Sequence, residues 1–201
     1  EALPDSRVRV VFVVNEGDRA GIAAINFTGN NSMSAGNLKG AMLTKETGIL
    51  SWLLKDDDYN EQKLAVDRER IRLYYANRGY PDAQVTSVGE YDAARNAYFV
   101  NFTINEGQEY EFSDVGIETS IAGLNTDALR GTVQTGQGSR YSVSDLQSTI
   151  EDMSYEATTQ GYSFADVRAR LDRDVANNSF KVTYLVDEGP RVYVERVNIT
   201  G

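Results

Sequence analysis

The chain has 201 residues, of which 41% are hydrophobic and 10% aromatic, enough to bury the core of one ordinary domain or of two to three small ones. Its formal net charge of -10 argues against nucleic-acid binding, which depends on clustered lysine and arginine side chains. Because the sequence contains neither cysteine nor histidine, we predict no disulfide, no metal or cofactor site and no Ser-His or Cys-His catalytic pair.

Glu-Gly turns recur along the chain, each at the end of a strand-like segment, with Gly17, Gly107 and Gly189 as their last residues. The first spacing is 90 residues and the second is 82. Gly79 and Gly161, each followed by a tyrosine, also stand 82 residues apart. Motifs that recur in one register over such a length indicate internal repeats. We therefore predict the last strand of one repeat at 1–18, complete repeats at 19–107 and 108–189, and the first strand of a further repeat at 190–201.

The first complete repeat begins with a strand around Ile25, followed by a weak helical segment over residues 37–42. Apolar residues at helical spacing then predict a longer, amphipathic helix between Asn60 and Arg78. The side chain of Asn60 can accept the unpaired N–H groups of the first helical turn. Gly79 suits the left-handed position that ends a helix. The first half of the repeat is therefore predicted to fold as strand, helix and helix.

Two strands complete the repeat, joined by a hairpin loop at 92–96. Apolar and polar residues alternate over 98–104, and the second repeat shows the same alternation over 180–186. The second repeat also has a weak helical segment at 125–132 and a longer helix beginning after Ser142. These elements predict an α+β fold of tandem β-α-α-β-β repeats, each with two helices packed on one face of a three-stranded mixed sheet.

The ordered set of motifs resembles the POTRA (polypeptide-transport-associated) repeats of BamA-type outer-membrane protein assembly factors. The motifs that carry this resemblance are residues 25–30, 59–64, 67–75 with 78–80, and 104–107. The first complete repeat is most similar to the third of the five repeats usual in that family, and the next would be the fourth. Related transporters for autotransporters or two-partner secretion also carry these domains, though typically fewer of them.

The resemblance implies the periplasmic portion of an outer-membrane protein that acts as a scaffold in β-barrel assembly. The partners that it implies are unfolded outer-membrane proteins, accessory lipoproteins, neighbouring POTRA repeats and a C-terminal membrane barrel outside this chain. A region of a related secretion transporter and a rigid spacer without client binding remain as alternatives. Glu106 and Glu188 are repeat-equivalent, but no base or nucleophile accompanies them, so we predict that the chain is not an enzyme.

Because the third strand should be central, the second strand of each sheet should lie at an edge, where unpaired backbone groups can add an incoming strand. In the first repeat this edge is expected at 83–91, where Val85 and Val88 break strict alternation and predict a bulge at 87–89. The predicted partner-binding residues are Gln84, Val85, Thr86, Ser87, Val88, Gly89 and Glu90. The alternative is a merely solvated edge. The corresponding edge at 166–174 is dense in charge, which is typical of strands protected against pairing.

The eight-residue difference between the two repeat spacings can be placed at 44–58, in a segment with an apolar stretch. One hypothesis makes this segment a docking loop for a partner or a neighbouring domain. Its candidate contact residues are Leu50, Trp52, Leu53 and Leu54. In the alternative, these large side chains are buried in the core of their own domain.

Overall fold

A computed structural model describes residues 2–3, 7–8, 20–48 and 59–190. Two repeats follow one another, each with its own three-stranded sheet. The predicted α+β class and the β-α-α-β-β order are confirmed. Ahead of them, β1 (Ala2–Leu3) and β2 (Arg7–Val8) form a short antiparallel pair. The repeat fragments predicted at 1–18 and 190–201 lie mostly outside the described residues, and the exact repeat boundaries stay predictions.

The first repeat contains three strands and two helices in the predicted order. Its elements are β3 (Gly21–Thr28), α1 (Ala35–Ala41), α2 (Glu61–Ala76), β4 (Gln84–Asp92) and β5 (Ala97–Asn105). The third strand of the repeat, β5, lies in the middle of the sheet, parallel to β3 and antiparallel to β4. The second strand, β4, is therefore at an edge, as the sequence predicts.

The second repeat has the same topology. Its elements are β6 (Glu111–Thr119), α3 (Thr126–Arg130), α4 (Val143–Thr159), β7 (Ala165–Asp174) and β8 (Ser179–Glu188). The central strand β8 pairs in parallel with β6 and antiparallel with β7. The sheet order β6-β8-β7 repeats the order β3-β5-β4, so the two domains share one fold.

Helix ends form where the sequence places them. The Asn60 side chain accepts hydrogen bonds from the backbone N–H groups of Gln62 and Lys63, at 2.8 and 3.1 Å. Ser142 caps α4 in the same way. Gly79 and Gly161 follow the two long helices with φ of +97° and +98°, a left-handed conformation that disfavours any side chain. The two long helices therefore begin at equivalent positions and end within one residue of each other.

Each repeat buries its own apolar core. On the central strands, alternate residues point to the helix side and are buried, whereas their neighbours face the opposite side of the sheet. The buried residues form two separate clusters, one in each repeat. The residues of these strands in the two clusters are Val100, Phe102, Ile104, Phe180, Val182, Tyr184 and Val186. Separate cores identify the repeats as separate domains.

The two domains meet in a ring of backbone hydrogen bonds that we call the joint. The Tyr110 N–H donates to the Gly79 carbonyl at 2.7 Å, the Gly79 N–H donates to the Tyr141 carbonyl at 2.9 Å, and the Tyr141 N–H donates to the Tyr110 carbonyl at 2.9 Å. Arg173 from β7 pairs with Asp82 and lies 4.5 Å from the centre of the Tyr110 ring. The end of α2 is thus bonded directly to the next domain.

The two cores differ in how a buried threonine hydroxyl is bonded. In the second repeat the buried hydroxyls of Thr135 and Tyr184 share a hydrogen bond of 2.9 Å. Thr44 is also buried in the first repeat, but Phe102 stands at the position equivalent to Tyr184. The Thr44 hydroxyl has no hydrogen-bond partner among the described residues. A buried polar group without a partner lowers stability, because it loses its hydration without compensation.

Replacing the two threonines by valine should therefore have opposite effects. Thr44→Val removes an unpaired hydroxyl with little change of shape, so we expect the free energy of unfolding to rise by about 1 kcal/mol. Thr135→Val removes the hydrogen bond between Thr135 and Tyr184, so we expect a loss of about 1 kcal/mol. Urea unfolding followed by circular dichroism measures both. A loss of stability in Thr44→Val would contradict this account of the first core.

Candidate functional site: the edge strand of the first repeat

The strand β4 pairs with β5 without interruption from Gln84 to Asp92. The bulge predicted at 87–89 is therefore wrong. Val88 lies on the face of the sheet away from the helices and is 59% exposed, while Gly89 takes the half-buried position on the helix side. The apparent break in the apolar pattern thus comes from an exposed valine and not from an extra residue.

Gly89 has a clear packing reason to be a glycine. A β-carbon there would collide with the ring of Tyr59, which lies against the strand just before α2 begins. The Tyr59 ring is stacked on Tyr98 of the central strand, with 3.9 Å between ring centres and 8° between planes. An aromatic ring that covers a glycine on an edge strand restores packing that the glycine lacks. Tyr59 therefore closes the helix-side surface of this edge.

The hydrogen bonds of the sheet show which β4 groups point outward. The Thr86 hydroxyl donates to the Thr103 carbonyl, so that carbonyl faces β4, whereas the Phe102 carbonyl accepts from Thr28 on β3. Because inward and outward residues alternate along an antiparallel pair, Thr86 is bonded to β5 and its neighbours at odd-numbered positions turn outward. The residues with outward N–H and C=O groups are Val85, Ser87, Gly89 and Tyr91. Within the described residues, no strand pairs with that side of β4.

The opposite edge of the same sheet is closed by the chain itself. The Thr47 N–H donates to the Ile22 carbonyl at 2.7 Å, and the Ile25 N–H donates to a Glu46 carboxylate oxygen at 2.8 Å. Burial acts to raise the pKa of Glu46, but its hydrogen bonds with Lys39 and Ile25 outweigh this effect and lower the pKa. Glu46 therefore caps the β3 edge as a carboxylate, and β4 is the more accessible side.

The edge strand β7 of the second repeat carries charges that are already paired. Arg168 bonds to Asp187 at 2.7 Å and to Asp166 at 3.0 Å, and Arg170 lies 3.4 Å from Glu118. A strand added along this edge would have to displace or desolvate these groups. By contrast, Glu90 and Asp92 are the only charged residues of β4 itself. The charge pattern therefore favours β4 over β7 as an edge for pairing.

Glu106 connects three parts of the first repeat. Its carboxylate accepts hydrogen bonds from the Ser32 backbone N–H, the Ser32 hydroxyl and the Tyr75 hydroxyl, at 2.8 to 2.9 Å. Burial, together with the bond to Glu106, raises the pKa of Tyr75 well above its ordinary value. The tyrosine therefore stays protonated and donates. These contacts give Glu106 a structural role that its turn position alone did not reveal.

The predicted docking residues Leu50, Trp52, Leu53 and Leu54 lie outside the described residues, and the docking hypothesis stays a prediction. In the parts of the chain that are described, acidic side chains do not gather into a group suited to a metal ion. No helix in those parts is long and apolar enough to cross a bilayer. The candidate site on the described surface is the β4 edge, because no described strand pairs with its outward side.

Two domains of one fold, each with an outward edge strand, define a tandem of small repeated α+β domains. Residues 20–107 and 110–189 match the POTRA family, described as surface antigen variable number repeat. The chain belongs to this family. The family prediction made from the recurring motifs is confirmed.

Curated relatives agree with this membership. The chain is 24% identical over 200 residues to the outer membrane protein assembly factor BamA of Neisseria meningitidis serogroup B, covering 99% of this chain and 25% of that protein. It is 25% identical over 195 residues to BamA of Nitratidesulfovibrio vulgaris, covering 96% of this chain and 24% of that protein. The chain thus spans about a quarter of the length of these relatives.

Solved structures show the same fold. The crystal structure of Haemophilus influenzae BamA POTRA3-5 aligns with a TM-score of 0.66 at 23% identity, covering 94% of this chain and 77% of that one. POTRA1-2 of the periplasmic domain of Omp85 from Anabaena aligns with a TM-score of 0.52 at 16% identity, covering 87% and 99%. The repeats are POTRA domains of the BamA type, the periplasmic portion of an outer-membrane protein. Their numbering as third and fourth stays a prediction.

Substitutions of Glu106 should lower stability in a graded way. Glu106→Ala leaves the Ser32 N–H and the Tyr75 hydroxyl unpaired, so we expect a loss of about 2–4 kcal/mol of unfolding free energy. Glu106→Gln keeps one carbonyl acceptor and should lose about 1 kcal/mol. The exposed Glu90→Gln serves as the control, with a change within about 0.5 kcal/mol.

Thermal and urea unfolding of the three variants measure these differences. Equal stability of Glu106→Ala and the control would contradict the structural role of Glu106. A hydrolytic activity of the intact chain that disappears in Glu106→Gln would instead overturn the prediction that the chain is not an enzyme.

Proposed function

We propose that these repeats form a scaffold in outer-membrane β-barrel assembly, where unfolded outer-membrane proteins bind transiently by adding a strand to β4. Accessory lipoproteins dock on the same periplasmic region. The observation that carries the proposal is the unsealed edge of β4, with its outward N–H and C=O groups at Val85, Ser87, Gly89 and Tyr91. The similarity to the BamA relatives, which are outer membrane protein assembly factors, supports it.

Backbone pairing suits a binding partner that is unfolded and variable in sequence. Main-chain hydrogen bonds supply affinity whatever the side chains are, provided that the segment is extended. Because ordering an unfolded segment costs conformational entropy, the complex should be weak and readily reversible. A holding site for nascent membrane proteins needs this reversibility, since the client must leave it to reach the membrane.

A rigid spacer is the second candidate, and the joint favours it. The backbone ring of Gly79, Tyr110 and Tyr141 and the pair of Asp82 with Arg173 hold the two domains together. A tandem fixed in this way can set the distance between other domains and the membrane without touching a client. If the chain is instead part of a related secretion transporter, the same domains would act on another polypeptide. A measurement of client binding at β4 distinguishes the two candidates, because the scaffold requires this binding and the spacer does not.

Strand addition predicts that proline at an outward position of β4 abolishes binding. Ser87→Pro removes an N–H that is turned away from β5, so the sheet itself should survive. Ser87→Ala is the matched control, because it removes only the hydroxyl that accepts a hydrogen bond from Arg68 at 2.7 Å. Peptides of alternating apolar and polar sequence, taken from outer-membrane β-strands, are titrated while amide chemical shifts are recorded by NMR.

For the wild type and Ser87→Ala, we expect shifts concentrated along β4 at millimolar peptide. For Ser87→Pro, the spectrum should stay dispersed while the shifts on addition of peptide disappear. Binding that is equal in all three proteins, or shifts confined to β6 or β7, would refute the proposed edge. An absence of shifts in the wild type, together with normal barrel assembly in cells that carry Ser87→Pro, would favour the spacer.

A further inference from the structure

An apolar row runs across the whole first sheet and ends at the open edge. On the helix-covered face, Ile22 of β3 lies opposite Tyr98 of β5, which in turn lies opposite Tyr91 of β4. The ring centres of Tyr91 and Tyr98 are 5.2 Å apart. Ile22 is buried and Tyr98 half-buried, but Tyr91 is 51% exposed. A fourth strand would place its own side chain at the end of this row.

The neighbouring row also presents an aromatic ring. It runs through Ile25 and Val100 to Gly89, where the Tyr59 ring fills the space that a side chain would occupy. Tyr59, Tyr91 and Tyr98 form one group, which we call the aromatic cluster. A segment added beside β4 therefore meets aromatic surface at two successive positions on the same face.

Beyond the aromatic cluster the character of this face changes. The third row ends at Ser87, whose hydroxyl accepts a hydrogen bond from the Arg68 guanidinium. On the opposite face of β4, the exposed side chains are mostly polar. They are Gln84, Thr86, Val88 and Glu90. One end of the edge on the helix side is thus aromatic, whereas the rest of the edge carries polar side chains apart from Val88 and the half-buried Val85.

We propose that the aromatic cluster selects the added strand and fixes its register, taking aromatic side chains at the two positions opposite Gly89 and Tyr91. This inference rests on the strand addition proposed above. Directly opposed residues of paired strands lie close enough for their side chains to interact, and aromatic pairs are among the favourable combinations. Alternate residues of a strand share one face, so the two aromatic residues must be separated by a single residue.

The ligand class is therefore an extended, alternating segment with aromatic residues near one end. Strands of membrane barrels have this pattern, with an apolar and a polar face and aromatic residues at the membrane interfaces. Backbone pairing alone would accept such a strand in any register. The aromatic cluster adds a preference for one register, because a shift by one residue moves both aromatic side chains to the other face.

Two synthetic peptides of the length of β4, nine residues, test the proposal. Both have acetylated and amidated ends and the same composition of threonine, serine and glutamine with two phenylalanines. In the first peptide a single residue separates the phenylalanines, and in the second they are adjacent and point to opposite faces. Dissociation constants are measured by NMR titration for the wild type, Tyr91→Ala and the control Tyr155→Ala, which removes a 75% exposed tyrosine from α4.

We expect the first peptide to bind the wild type and the Tyr155→Ala control about fivefold to tenfold more tightly than the second. In Tyr91→Ala this ratio of affinities should fall below about twofold, and the variant should still bind both peptides. A spin label at the end of the first peptide should broaden a single set of amide signals in β4, as expected for one register.

Equal affinity of the two peptides for the wild type, or an unchanged ratio in Tyr91→Ala, would overturn the selective role of the aromatic cluster and leave strand addition standing. Failure of both peptides to bind the wild type at millimolar concentration would refute strand addition itself, and the aromatic selection with it.

Discussion

The outward N–H and C=O groups of an edge strand must be bonded or left accessible, and this constraint organises both sheets. The β3 edge is closed by Thr47 and Glu46 from the following segment. The β7 edge is covered by paired charges such as Arg168 with Asp187. On β4 neither device is found among the described residues, and its outward groups remain available. The same fold thus has edges of different accessibility, and among the described edges β4 is the one whose outward backbone groups are left uncovered.

The sequence predicted most of the architecture, because the elements leave local signals. Alternation identified the central strands, and Asn60 and Gly79 marked the ends of the long helix of the first repeat. The bulge at 87–89 was wrong because alternation counts apolar residues and does not show that a distant ring, that of Tyr59, occupies the space above a glycine. The partners of Glu106 were also missed, since Ser32 lies 74 residues away and no local pattern links the two.

The two repeats use different polar side chains at equivalent buried positions. Asp67 in α2 accepts the N–H groups of Leu43 and Thr44, and its equivalent in α4, Thr149, accepts the Gln134 N–H. A carboxylate and a hydroxyl thus perform the same task of holding the preceding loop. The buried hydroxyls are handled less evenly: Thr135 and Tyr184 bond to each other, whereas the Thr44 hydroxyl has no partner among the described residues. Shared topology therefore does not require shared buried hydrogen bonds.

The ring through Gly79 also has a mechanical consequence. In the second repeat the equivalent Gly161 N–H bonds back to Thr158 in its own helix, whereas the Gly79 N–H is committed to Tyr141 in the neighbouring domain. A displacement of the first domain is therefore passed to the second through these hydrogen bonds as well as through the covalent chain.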